Sequence, residues 1–309
     1  MALSGQGRGA AAGAATAVAT GRPFLALAWM MGAVVSFTLM AIAGRAVQAE
    51  MNSFQLMAWR SMIGFVVVAL VVWRSTPGFA QIRTPQPWLH VQRNIFHFIG
   101  QNSWFVALTM IPLAQLTALE FTSPLWVALL APFIVGDRLT AQRVTAVLLG
   151  FAGVLIVSQP GTSPIGLGHA LGLLAALGFA LNTIWTKRLM EYDTILCVLF
   201  WMTASQTLMG IALSLPTGGL PVPSVALWPW VLLVALTGLT AHYSITSALG
   251  HAQVSVVAPM EFVRLPVIST VGAMLYGEAV AIAVFVGGAV ILAANLINIG
   301  VLWPRSGRR

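Results

Sequence analysis

The sequence predicts an all-α integral membrane protein: ten transmembrane helices arranged as two inverted five-helix repeats, with both termini cytoplasmic. Of its 309 residues, 59% are apolar and 7% charged, and the mean hydropathy is +0.91; soluble domains carry about 25% charged residues. The apolar runs between polar breaks each approach the ~20 residues that a helix needs to cross a hydrocarbon core of about 30 Å. Residues 107–157 recur, weakly but without a gap, at 248–298.

The spans read as 24–44, 54–73, 94–111, 114–135, 143–158, 167–186, 194–215, 228–249, 252–276 and 280–303. Turn chemistry separates them, as in Ser75-Thr76-Pro77-Gly78, Gln159-Pro160-Gly161 and Pro216-Thr217-Gly218-Gly219. Continuous apolar runs favour helices over barrel strands, which alternate apolar and polar residues. Residues 1–22 read as a basic, acid-free cytoplasmic tail, 23–158 as the first repeat, 167–303 as the second and 304–309 as a basic cytoplasmic tail. Ala41-Ile42-Ala43 resembles a signal cleavage site, but removing the first span would leave nine helices and unbalance the repeats.

Orientation follows from the fifteen Lys and Arg residues, because cytoplasmic loops retain positive charge. With the N-terminus inside, the inner segments hold twelve of them, from Arg8 and Arg22 through Arg138, Lys187 and Arg188 to Arg309; Arg45 lies outside, and Arg60 and Arg264 fall within spans. The +8 net charge is thereby explained by membrane orientation, and nucleic acid is not an expected partner.

The repeat is offset by 141 residues: Glu120-Phe121 aligns with Glu261-Phe262, Gly136-Asp137 with Gly277-Glu278, Ala107-Leu108 with Ala248-Leu249 and Leu155-Ile156 with Leu296-Ile297. Five spans per copy place the second copy upside down. The charges agree: Arg138 and Arg143 follow the first Gly-acid pair, whereas Ala279 and Val284 occupy those positions after the second. Inverted repeats suit alternating access, in which two similar halves exchange conformations around a midplane site.

With Arg60 in Trp59-Arg60-Ser61, Pro124 followed by Gly136-Asp137-Arg138-Leu139-Thr140, and Ala258-Pro259 through Gly277-Glu278, the chain resembles the drug/metabolite transporter superfamily, in its EamA-type ten-helix group. Asp137 stands where that family commonly has Glu, and Leu265 takes the repeat position of Pro124. The segments 93–112 and 258–276 are most similar to the branch of S-adenosylmethionine and riboflavin carriers. The resemblance implies a transporter of a small polar organic metabolite, whether amino acid, nucleoside-like or vitamin-like, in a bacterial inner membrane. Import and export both fit. The competing reading is a non-transporting structural or signalling protein on the same scaffold.

Polar groups in hydrocarbon are the candidate substrate- or coupling-ion-binding residues, since a charge there costs about 2.5–3.5 kcal/mol on insertion scales. Arg60, Glu120, Glu261 and Arg264 are the charged candidates. Glu261 and Arg264, at i and i+3, are expected to pair on one helical face, and Arg60 and Glu120 are expected at one depth, roughly 9 Å in from their outer ends. Carboxylates would take an amino group or a proton, arginines a carboxylate or phosphate; mutual neutralisation is the structural alternative. Asn94, His97 and Gln101 follow i, i+3, i+7 spacing and form a polar stripe, with His242 and Tyr243 facing it from the eighth span. Asn182 and Gln206 join them. Trp104 and four other tryptophans inside spans read mainly as packing residues, and Gly150, Gly153, Gly168 and Gly172 as close helix contacts.

No enzyme is expected. Cys197 is the chain's one cysteine, the five histidines are scattered, and neither a phosphate loop nor zinc-ligand spacing is visible. No cofactor and no metal are expected; lipid, a small solute and a second copy in a homodimer are the expected partners.

Overall fold

The computed structural model describes residues 22–134, 136, 139–159, 165–252 and 254–302. The N-terminal tail up to Gly21, Asp137 with Arg138, the Pro160–Pro164 turn, Trp303 and the basic C-terminal tail lie outside the described residues.

Among the described residues the chain is all helix apart from loops: α1 (Pro23–Val47), α2 (Ser53–Arg74), α3 (Pro87–Leu108), α4 (Leu113–Glu120), α5 (Ser123–Ile134), α6 (Ala141–Ser158), α7 (Leu167–Leu189), α8 (Ile195–Ser214), α9 (Trp228–His251), α10 (Val254–Glu261), α11 (Arg264–Tyr276) and α12 (Ile282–Asn298). Their starts carry ordinary helix signals. Asn52 and Gln55 form a reciprocal capping box at α2, and the Thr140 and Thr194 side chains accept from the backbones of Arg143 and Cys197. Proline stands in the first two positions of α1, α3 and α9, where its missing N–H costs nothing.

The main departure from the sequence reading is that spans 114–135 and 252–276 are each two helices. The first breaks after Glu120 and the second after Glu261, 141 residues later. Pro124 and Pro266 supply the cause: each lacks an N–H, and its ring crowds the carbonyl of residue 120 or 262. The third span also begins earlier than expected, at Pro87, because the polar residues of its first turns find partners on neighbouring helices.

Seven stretches are long and apolar enough to cross a membrane, including Leu113–Ile134 across its break. Large apolar side chains such as Phe24, Phe133, Leu148, Leu208 and Ile282 are exposed around the outside, as a lipid-facing surface requires. This is an integral membrane protein.

Numbered within each half, the first helix of one half packs on the third of the other in both directions (α1 on α9, α7 on α3). The second packs on the second (α2 on α8) and the fifth on the fifth (α6 on α12). Lipid supplies no hydrophobic drive between helices, so close backbone approach carries the association. At the α3–α7 crossing a Cβ on Gly178 would stand 2.6 Å from the Gly100 Cα. At the α6–α12 crossing, Cβ atoms on Gly153 and Gly287 would stand 2.8 and 2.7 Å from each other's carbonyl oxygens. Gly178→Val is therefore expected to destabilise by at least the ~1–3 kcal/mol of core overpacking, because backbone must yield. A melting temperature in detergent that matches the parent would contradict this account of the crossing.

Candidate functional site

The two helix breaks meet at the centre. Phe121 and Phe262, the residues that follow the two glutamates, stack with centroids 4.9 Å apart and planes 29° apart. Beside them opens a cavity of about 310 Å³ lined by elements of both halves. Its walls are aromatic, with Phe37, Trp104, Phe121, Phe179 and Phe262, and its polar groups are His97, Gln101, Glu120, Asn182, His242, Glu261 and Asn295.

Glu120 is satisfied at both oxygens. Arg264 Nη2 donates to Oε1 at 2.8 Å and Trp104 Nε1 donates to Oε2 at 2.9 Å. The Arg264 guanidinium lies between the rings of Phe37 and Phe121, 4.7 and 4.9 Å from their centroids, and is 2% exposed. Arg264 does not line the main cavity; it holds Glu120 from behind. The expected partnership of Arg264 with Glu261 is replaced by this one because α10 ends at Glu261 and α11 begins at Arg264, so i and i+3 do not share a helical face.

Glu261 lines the same cavity, yet among the described residues no donor hydrogen-bonds its carboxylate. Arg264 is near enough to be felt electrostatically but is committed to Glu120. The amide oxygens of Gln101, Asn182 and Asn295 are likewise buried without a partner. Unpartnered buried polar groups around a cavity are where a ligand's hydrogen bonds would go.

His97 lines the cavity while its Nδ1 is bonded to Gln206 on α8. Its ring lies 6.2 Å from that of His242 on the facing wall. The other expected residues go elsewhere. Asn94 grips α8, donating to the Trp201 carbonyl and the Ser205 hydroxyl at 3.0 Å each. Tyr243 is 66% exposed and packs on Trp29, because one residue along a helix turns the side chain about 100° from His242. Arg60 is buried against Met57 Sδ and 5.9 Å from the Phe105 centroid, in space left by Gly238. It does not meet Glu120 and does not line the cavity. Phe37, Phe179 and Asn295, which the sequence reading missed, are single residues in uniformly apolar spans; only their neighbours in space mark them out.

The cavity runs from the breaks toward the end at which α7, α9 and α12 finish, reaching Ile299. The opposite end is shut by Arg45 and Glu278. Arg45 Nη1 lies 2.5 Å from Glu278 Oε1, Nε donates to the Leu108 carbonyl at 2.6 Å, and Nη2 to the Ile111 carbonyl at 3.0 Å. The Leu113 N–H donates to Glu278 Oε2 at 2.8 Å, and the guanidinium rests 4.5 Å from the Tyr276 centroid. One ion pair thus fastens the ends of α1, α3, α4 and α11. Arg45→Ala leaves Glu278 short of donors, a cost of about 1–3 kcal/mol. Maleimide labelling of Thr117→Cys, buried behind this latch, is then expected to quicken roughly 5–150-fold; an unchanged rate would show that the pair does not keep this end closed.

A helical membrane protein whose two halves enclose a partly polar cavity, shut at one end, has the build of a solute carrier. Residues 24–159 match the model of the EamA-like transporter family. It is similar to the riboflavin transporter of Rhizobium johnstonii, with 29% identity over 91% of this chain and 92% of that protein. It is also similar to the S-adenosylmethionine uptake transporter of Rickettsia prowazekii, with 22% identity over 88% of this chain and 92% of that protein. A solved crystal structure shares the fold at a TM-score of 0.60 and 19% identity, covering 88% of this chain and 95% of that one. These relatives are named as transporters, not enzymes, and the likeness supports the same broad role, a membrane transporter, for this chain.

Proposed function

We propose that the chain is a ten-span alternating-access carrier built from two inverted five-helix repeats, 23–158 and 167–303, with both termini in the cytoplasm of a bacterium and its spans in the inner membrane. Its solute is a small polar organic metabolite with a planar ring and hydrogen-bond donors. The observation that carries this reading is the cavity at the paired breaks, where aromatic walls surround one neutralised carboxylate, Glu120, and one unpartnered carboxylate, Glu261. Aromatic faces suit a flat heterocycle. A free carboxylate and three open amide oxygens ask for donors, either cationic or neutral N–H groups. The solutes named for the two relatives, riboflavin and S-adenosylmethionine, both carry such a ring.

Glu261 is the proposed coupling position. A lone carboxylate at this depth is costly as an anion, so it holds either a proton or a donor of the solute, and the two compete. Glu120, Arg264, His97 and His242 are the titratable and charged groups nearest it around the cavity, and of these the first two neutralise each other.

The test is counterflow in proteoliposomes with labelled riboflavin, S-adenosylmethionine and a broad panel of nucleosides, amino acids and vitamins. Saturable exchange of a ring-bearing solute is expected. Absence of exchange across the whole panel, with protein shown to be folded and inserted, would favour the non-transporting scaffold instead.

A further inference from the structure

A second polar cluster lies away from the cavity, at the end where α3 starts and α7 finishes. His90 is in the first turn of α3, Asp193 in the turn between α7 and α8, and Cys197 in the first turn of α8. His90 Nε2 lies 2.9 Å from Asp193 Oδ2, and Thr84 Oγ1 donates to the same oxygen at 2.7 Å. The ligating atoms of His90, Asp193 and Cys197 lie within 4.8 Å of one another, and all three residues are buried.

Two features of this cluster are unexplained by packing. The Asp193 side chain is 2% exposed, yet among the described residues no lysine or arginine pairs with it; Arg93, whose charge reaches His90, is engaged by Thr186 and Asn94. His90 Nδ1 is also buried without a partner. A buried carboxylate requires compensating charge, and thiol, imidazole and carboxylate together form a donor set that selects a borderline-soft divalent ion.

We propose that His90, Asp193 and Cys197 bind one zinc-type divalent cation, with the Thr84 hydroxyl or a water as fourth ligand. Metal–ligand bonds of about 2.0–2.3 Å set tetrahedral ligand atoms roughly 3.3–3.8 Å apart, so the site closes by about 1 Å, a shift that the turn before α8 can absorb. Binding expels the Cys197 thiol proton to solvent; the carboxylate binds as it is, and the neutral imidazole, whose Nε2 proton faces Asp193, binds through its unpartnered Nδ1 or through Nε2 once that proton has moved to Nδ1. The ion ties the first turn of α3 to the α7–α8 turn and the start of α8, and so joins the two halves of the chain. Sequence spacing did not disclose it, because His90 and Asp193 are 103 residues apart.

The test uses tag-free, metal-stripped full-length protein titrated with Co²⁺ in detergent. The chain has one cysteine, so a thiolate-to-cobalt charge-transfer band in the near ultraviolet can arise only from Cys197. The expected result is such a band saturating at one equivalent, erased by one equivalent of Zn²⁺, with affinity at least tenfold weaker in His90→Gln and Asp193→Asn. No band in the parent protein would overturn the proposal, and so would a band whose affinity both variants leave unchanged. The parent titration decides the matter even if the variants fail to fold.

Discussion

Arg264→Leu is expected to cost about 3–5 kcal/mol of stability, the penalty for leaving one member of a buried ion pair uncompensated. Glu120 would keep only its bond from Trp104, and the two rings that sandwich the guanidinium would lose their cation contacts, each worth about 0.5–2 kcal/mol. Glu120→Gln should be costly for the mirror reason, since Arg264 would then be a buried cation without an anion. The double variant carries neither charge, so its loss should fall well short of the sum of the two single losses. Thermal unfolding in detergent, run as a double-mutant cycle, measures that coupling. Additive losses would mean that the two side chains are not the energetic unit described above.

Glu261→Gln is expected to leave the fold intact and to remove the pH dependence of solute binding. In the parent protein a proton and a solute donor compete for one carboxylate, so affinity should rise with pH, by up to about tenfold per unit while that carboxylate is mostly protonated. The sign is fixed by the competition: raising pH removes the proton and opens the acceptor. Glutamine cannot titrate, and its binding curve should be flat over the same range, with affinity at least tenfold below the parent's plateau. Quenching of tryptophan fluorescence by riboflavin, or calorimetry with the best panel solute, provides the readout. A pH slope that survives Glu261→Gln would move the coupling position elsewhere in the cavity, to His97 or His242.

The sequence disclosed those features that depend on period and spacing. The apolar runs marked where the helices lie, and the close-contact role of Gly150 and Gly153 was visible from small residues three apart. It missed what depends on meetings between distant segments. Glu120 and Arg264 are 144 residues apart, and helical spacing assigned Arg264 to a nearer partner because the break that Pro266 imposes after Glu261 was not read from the sequence. The polar stripe on α3 was legible as a stripe, but Asn94 faces α8 whereas His97 and Gln101 face the cavity, and that division is made by where α8 crosses.

The glycine crossings also bear on how such a carrier moves. Gly178 against Gly100, and Gly153 against Gly287, bring main chains so near that neither pair can slide without separating. Both welds join a helix of the first half of the chain to one of the second. Under the proposed alternating access, the pieces that rock would then be mixed bundles, α3 with α7 and α6 with α12, each holding one helix from either half of the chain. Severing the chain between its halves would then divide each of these bundles in two.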